Sequence, residues 1–430
     1  MTAMEVCVTT RETIKPSSPT PPHLKTHKLS LLDQLSPNIY LPSLFFYPGD
    51  QARDASSVTL QLKTSLCKIL THYYPFAGRL AGQAAVFCTD DGVEFLEAQA
   101  DCCLSQILRR ADPETLDRLY PSGLLWNESY EGSLVVVQLN SFTCGGIALA
   151  VCSNHKIADG ATVCNFIRDW ATAAAGGKAT SPEFISAALG FPGDILAVPA
   201  TRLEERVRCV TRRLLFDALK MAKLKAMVAG LGVDNPTRVE VVTALIYLRV
   251  MAAVGSTRPA VLTQPVNLRP RTAPPLPVNS AGNFVWFYPV PATNENEKNL
   301  VSLVSAMRKG MVDFVNKYVK DKSPEECYTL VCQSLKEANK VLSKSDEIDV
   351  YKCSSLCRYP FEQVDFGWGK PVWVGFSSSV VKNTFHMSDA REGGIEAWVT
   401  LEEKDMAVFE SDEELLSFAS LNPALSPAEL

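Results

Sequence analysis

The chain has no C-x-x-C pair, no apolar run long enough to cross a membrane, no internal repeat and no stripe of basic residues interleaved with aromatics. Each absence removes a class of function. Its 13 cysteines are odd in number and scattered, and Cys102-Cys103 and Cys353-x-x-x-Cys357 lack the partner His or Cys sets of a zinc site. Reduced, packed thiols are expected instead, with no metal. Lys and Arg total 42 against 47 Asp and Glu, a net charge of −5, which argues against a nucleic-acid partner. The stretch Pro16 to Pro22 takes the place of an apolar signal core, so a cytoplasmic protein without membrane contact is expected. Asn127-Glu128-Ser129 is then an idle glycosylation sequon. What is present is a chain of 430 residues, 47% hydrophobic and 21% charged, large enough for two globular cores.

Histidine is scarce, five in all, and one stands in an informative place. Leu134 to Leu139 and Ile147 to Cys152 read as two strands around the turn Thr143-Cys144-Gly145-Gly146. His155-Lys156-Ile157-Ala158-Asp159-Gly160 follows the second strand, and then Val163, Phe166, Ile167 and Trp170 recur with the period of an amphipathic helix. His155 therefore lies on a strand-to-helix connection, where α/β folds place chemistry, and a neutral imidazole there is a candidate general base. Asp159 either orients that imidazole as in a triad or points away and pins the loop through an arginine. Taken alone, H-x-x-x-D fits a hydrogen-bonded histidine closing a turn better than it fits a general base.

Residues 58 to 73 read as a helix ended by Pro75, with Val58, Leu62, Leu66, Ile69, Leu70 and Tyr73 on one face. Glu240 to Val254, led in by Asn235-Pro236-Thr237, reads as a second. A Gly/Pro/Ala-rich connection from about Gly176 to Thr201 places a domain boundary near residue 185. The expected units are 1–185, a crossover over 186–208, and 209–430. Gly375-Phe376-Ser377-Ser378-Ser379 lacks the second glycine of a nucleophile elbow, which removes a serine hydrolase. Cys152, on a predicted core strand, is expected to be an inert packed thiol and not a nucleophile. His23, His27 and His72 are given no role.

A second segment, Asp365-Phe366-Gly367-Trp368-Gly369-Lys370-Pro371, carries two glycines and a proline around its aromatics and reads as a tight loop. Together with H-x-x-x-D-G it resembles the paired signature of the BAHD acyl-CoA-dependent acyltransferases. The resemblance runs through Ser30-Leu31-Leu32-Asp33-Gln34-Leu35, Tyr74-Pro75-Phe76-Ala77-Gly78-Arg79-Leu80, Val266-Asn267-Leu268-Arg269-Pro270-Arg271 with Pro274-Pro275-Leu276-Pro277, and Gly394-Ile395-Glu396-Ala397-Trp398-Val399. Its flavour is that of the alkaloid-acetyltransferase branch.

The resemblance implies an α/β fold of two chloramphenicol acetyltransferase-like domains with a channel at their interface. It also implies that a segment around 370–390 crosses to complete the first domain's sheet. An acyl-CoA, acetyl-CoA first, is the implied cosubstrate, with no permanently bound cofactor, and the acceptor is a small-molecule alcohol; a monomer is expected. His155 is the implied catalytic base. Asp159 shapes the loop with Arg269 as its partner, and Gly160 gives the backbone room for the pantetheine arm or for the turn. Asp365, Gly367, Trp368 and Gly369 organise the CoA side. Thr237, Arg238 and Lys220 stand where the family places some CoA contacts, and Ser354 and His386 where intermediate or acceptor passes.

One departure stands out. Many relatives read Thr-Ser-Trp-Cys-Arg where this chain has Ser354-Ser355-Leu356-Cys357-Arg358, so Leu356 brings no indole N–H to the pocket. A malonyl- or aromatic acyl-CoA donor, an amine acceptor, or a non-catalytic binding protein are the alternatives left open.

Overall fold

The computed structural model describes residues 4–49, 54–185, 208–319, 322, 324–342 and 347–425. The crossover expected over 186–208 lies, Arg208 apart, outside the described residues.

Two large sheets organise the chain. The first has six strands in the spatial order Val6–Ile14, Val93–Ala100, Val135–Phe142, Ile147–Asn154, Tyr40–Tyr47 and Trp373–Gly375. The second has seven, in the order Val285–Ala292, Ala260–Asn267, Asp349–Ser355, Thr384–Asp389, Ile395–Glu402, Cys209–Phe216 and Ser420–Leu421. The two strands before the histidine form as their apolar runs predict, extended by two or three residues at their ends. Every residue of Ile147–Asn154 is buried, because both faces of that strand are covered, and a doubly covered strand reads as a continuous apolar run.

The predicted helices are in place. Ala55–His72 buries Val58, Leu62, Leu66, Ile69 and Leu70, and Tyr73 caps it one residue past its end. Gly160–Ala174 buries Val163, Phe166, Ile167 and Trp170 against it. Arg238–Val254 starts at Thr237, whose hydroxyl accepts from Glu240 N while Glu240 accepts from Thr237 N, a capping box. Among the described residues no helix is long and apolar enough to cross a membrane.

Each sheet has its own hydrophobic core, and the chain contributes to both cores out of sequence order. Trp373–Gly375 pairs antiparallel with Tyr40–Tyr47, while Leu31 and Leu32, from the start of the chain, are buried in the second core. In the second sheet Ser354 pairs with His386, His386 with Trp398, and Trp398 with Arg213. Side chains alternate across a strand, so these four share one face, while Tyr351, Cys353, Phe385 and Met387 fill the core behind them. The shared face meets the first domain: Arg213 and Glu396 form a buried ion pair at 2.7 Å, and Trp373 Nε1 from the crossing strand donates to both Glu396 oxygens at 3.2 Å.

Candidate active site

The turn after Ile147–Asn154 is built by backbone bonds that leave one ring free. His155 N donates to Ile39 O at 2.8 Å, Ile157 N to Asn154 O at 3.2 Å, and Lys156 N to Asn154 Oδ1 at 2.9 Å. Lys156 is turned away, its Nζ donating to Gln34 O at 2.6 Å. Only the imidazole of this segment remains uncommitted. Nδ1 of His155 is buried without a partner in hydrogen-bond geometry, although its own carbonyl, the Ala158 carbonyl and the Asn283 side chain stand close to the ring, and no described residue is bonded to Nε2. The ring lies deep in the molecule yet keeps part of its surface exposed, as a side chain lining an internal channel does. Burial pushes its pKa below the ordinary histidine value; its own carbonyl, Asp159, Asn283 and the Ala158 carbonyl pull the other way without overcoming it. The base form is thereby favoured at neutral pH.

Asp159 does not orient this ring. Its side chain caps the helix Gly160–Ala174 through Thr162 N at 2.9 Å and accepts two parallel bonds from Arg269, at 2.7 and 3.0 Å, and Phe284 N at 3.0 Å. The arginine is equally committed, donating to Thr162 Oγ1, Ser280 O and Gly282 O and lying 4.7 Å over the Phe284 ring. Burial alone would raise the Asp159 carboxyl, but Arg269 and the two N–H groups hold it below the usual carboxylate range. Of the two sequence readings, orienting the base or pinning the loop, the geometry has the second: a bidentate pair joining the two domains directly beneath the histidine.

Asn283 holds His155 itself. Its Nδ2 donates to His155 O at 2.8 Å and to Asp33 Oδ1 at 2.9 Å, and its backbone N donates to Asp33 Oδ1 at 2.7 Å. Asn283 Oδ1 is left buried without a partner, as is His155 Nδ1. Asp33 in turn closes a capping box with Ser30. The sequence reading missed Asn283. Asp33 lies in the Ser30–Leu35 stretch, and nothing local in the sequence ties it to a residue 250 positions away.

Gly160 has an unremarkable φ, and the room it provides is for a side chain of this protein: a Cβ there would lie 2.6 Å from Leu356 Cδ2 and 3.6 Å from Tyr359 Cε2. Leu356 packs over the start of the helix, so the departure from the relatives' tryptophan falls directly beside the turn. Ser354, two residues before it, is exposed and next to His386 in register. His386 stacks on Trp398 with centroids 5.8 Å apart and meets Phe376 edge-on at 5.2 Å. Burial drops its pKa to about 4, so it is neutral.

The Asp365-Phe366-Gly367-Trp368-Gly369 loop is elsewhere. Asp365 Oδ1 accepts Gly367 N at 2.8 Å and Gly369 N at 2.9 Å, and both glycines have a φ near +100° that other residues rarely adopt. Phe366 stacks on Trp368 and meets Trp170 edge-on, and Gln61 Nε2 ties Phe366 O to Ala174 O at 2.9 Å each. Ala174 ends the helix that Asp159 begins, 15 residues earlier. At 1.5 Å per residue the loop packs about 22 Å from the histidine's turn.

Thr237, Arg238 and Lys220 are not gathered into one patch. Thr237 caps its helix, Arg238 pairs with Asp389 at 2.8 Å, and Lys220 Nζ donates to Ser420 Oγ at 2.7 Å, three strands across the sheet from Asp389. Cys152 is fully buried, and burial pushes its thiol far above the ordinary value, which leaves it unreactive. Among the described residues no cluster of His, Cys, Asp and Glu could hold a metal.

Residues 4–416 match the family model described as the Transferase family. The chain is 42% identical to akuammiline synthase 1 of Alstonia scholaris, over 96% of this chain and 97% of that protein. It is 39% identical to a 17,18-epoxy-17-hydroxycur-19-ene N-malonyltransferase of Strychnos nux-vomica, over 98% and 92%. The crystal structure of vinorine synthase superposes with a TM-score of 0.84 at 32% identity, covering 97% of this chain and 99% of that one. A free imidazole over a buried Asp–Arg pair, on two sheets joined in this way, is thus found in a chain that belongs to that transferase family, the BAHD acyl-CoA-dependent acyltransferases.

Proposed function

We propose that the enzyme moves an acyl group, acetyl first, from acyl-CoA to a hydroxyl of a plant specialised metabolite, an alkaloid or terpenoid alcohol, with His155 as general base. The observation that carries this is an imidazole kept in its base form with Nε2 uncommitted where the two domains meet. Nε2 takes the hydroxyl proton as the oxygen attacks the thioester carbonyl. The tetrahedral oxyanion then collapses, the C–S bond breaks, and the imidazolium returns its proton to the CoA thiolate. Asn283 holds the residue's backbone throughout, and the Asp159–Arg269 pair fixes the turn it stands on. Thr237 and Arg238, adjacent at the start of their helix, are proposed to meet the CoA phosphates, for which hydroxyls and cations are the fitting partners; Lys220, three strands across the sheet, does not join them. Ser354 and His386 are proposed to line the acceptor side. We take the domains as 1–185 and 209–430, in a cytoplasmic monomer.

Similarity to akuammiline synthase 1 and vinorine synthase supports an alkaloid acceptor. Similarity to the N-malonyltransferase supports a second reading, a malonyl donor or an amine acceptor on the same machinery. A mass-spectrometric screen of several acyl-CoAs against panels of alkaloid, terpenoid and phenolic acceptors tests both. Esters yield to mild hydroxylamine and amides do not, which separates O- from N-transfer. Absence of any acylated product across the screen contradicts the proposal.

A further inference from the structure

A cavity of about 270 Å³ lies between the segment 358–363 and the crossing strand, and its wall combines aromatic rings with one uncommitted carboxylate. Tyr359, Phe361 and Phe376 supply the rings, with Phe361 and Phe376 nearly perpendicular at 6.4 Å. Two carboxylates line it, and they differ. Asp389 is spent, pairing with Arg238 at 2.8 Å and accepting Arg358 N at 2.5 Å. Glu362, half-buried, makes no hydrogen bond and no ion pair among the described residues. Arg391, the cation whose field reaches it, donates instead to Val372 O at 2.7 Å. Burial, with Asp389 and Glu396 nearby, pushes the Glu362 carboxyl up, a strain that a cation entering the cavity relieves. Arg358 also lines the cavity, with its side chain exposed to solvent, where its repulsion is screened.

The cavity adjoins the reacting turn. Tyr359 forms part of its wall, and the same ring stands against Gly160, its hydroxyl accepting from Asn267 Nδ2 at 3.3 Å. Phe376, also in the wall, meets His386.

We propose that this cavity holds an ammonium group of the acceptor, with Glu362 as its counter-ion and Tyr359, Phe361 and Phe376 as its aromatic cage. The acceptor is then a cationic amine alcohol, anchored at its nitrogen while its hydroxyl reaches His155. Aromatic faces and a carboxylate together are the chemistry that selects an alkylammonium over an uncharged group of the same shape. This deepens the acyl-transfer reading and rests on it.

Choline and 3,3-dimethylbutan-1-ol test it directly, being alcohols of the same shape that differ only in a permanent charge. Their dissociation constants are measured by titration calorimetry or ligand-detected NMR on the full-length enzyme, wild type, Glu362→Gln and Glu362→Asp. Wild type is expected to favour choline by about tenfold, the sum of an ion pair and cation–π contacts. Glu362→Gln should bring that ratio close to one while leaving the neutral alcohol's affinity unchanged, which also reports an intact cavity. Glu362→Asp should keep part of it. Equal binding of the two alcohols to wild type, no binding of choline, or full selectivity in Glu362→Gln overturns the proposal. Binding is read without turnover, so this outcome is separate from failure of acyl transfer, which shows as no acylated product from any donor.

Discussion

The two motifs that single out this chain in sequence stand at opposite ends of one helix and do opposite things. At its start, the turn carrying His155 leaves an imidazole with Nδ1 buried and unpartnered and Nε2 uncommitted, above a carboxylate that is fully spent. At its finish, the Asp365–Gly369 loop is tied to itself and to the helix, its carboxylate capping its own glycine N–H groups, Phe366 packed on Trp170 and Trp368 stacked on Phe366. A buried polar atom without a partner calls for an explanation, and for an imidazole on a strand-to-helix turn proton transfer supplies one, whereas the loop's carboxylate is accounted for by the N–H groups it accepts. Two motifs that occur together in sequence therefore need not meet in space; here the helix between them transmits position, not protons.

The comparison breaks most sharply at His155. His155→Ala should lose on the order of a hundred- to ten-thousand-fold in turnover while melting close to wild type, because the residue's bond to Asn283 runs through its backbone carbonyl, which alanine keeps. A mutant retaining more than about a tenth of the rate moves the base elsewhere. Asp159→Asn should damage stability and activity together. It leaves Arg269 buried without its charge partner, a loss of about 3–5 kcal/mol. Normal melting with only kcat reduced would return Asp159 to an orienting role.

Asp365→Asn sharpens the other side. It should lower the melting temperature slightly, a loss of about 1 kcal/mol, because the amide oxygen still accepts the two N–H groups and only the charge is lost, yet leave the pH profile of kcat/KM in place. That profile should have its acid limb below the ordinary histidine value of about 6.5, since burial depresses the His155 pKa and activity is lost only as pH falls through the depressed value. A limb displaced by Asp365→Asn would mean that the loop acts on the imidazole. The smallest effect is expected at Gly160. Gly160→Ala should slow the enzyme by pushing Leu356 aside, and Leu356→Ala added to it should restore part of the loss, a coupling of about 0.5–3 kcal/mol in a double-mutant cycle. Additive effects would separate the two residues.

Much of this was legible in the sequence, and the limits are physical. The strands around Thr143–Gly146 and the helix after Gly160 followed from apolar period, and the pairing of Asp159 with Arg269 followed from resemblance and is present in the structure. Period reports which face of an element is apolar and not what it packs against. The Asp33–Asn283–His155 chain was invisible for that reason, as was the seat of Leu356 on Gly160. Glu362 gave no signal at all, because what marks it is the partners it lacks.

The central claim is direct transfer from thioester to acceptor by a single base, with both substrates bound at once. Initial rates measured over a matrix of acyl-CoA and acceptor concentrations test it most directly. The account predicts intersecting double-reciprocal lines and no mass gain when the enzyme meets acyl-CoA alone. Parallel lines, with stoichiometric acylation of the protein that Cys152→Ala abolishes, would contradict it.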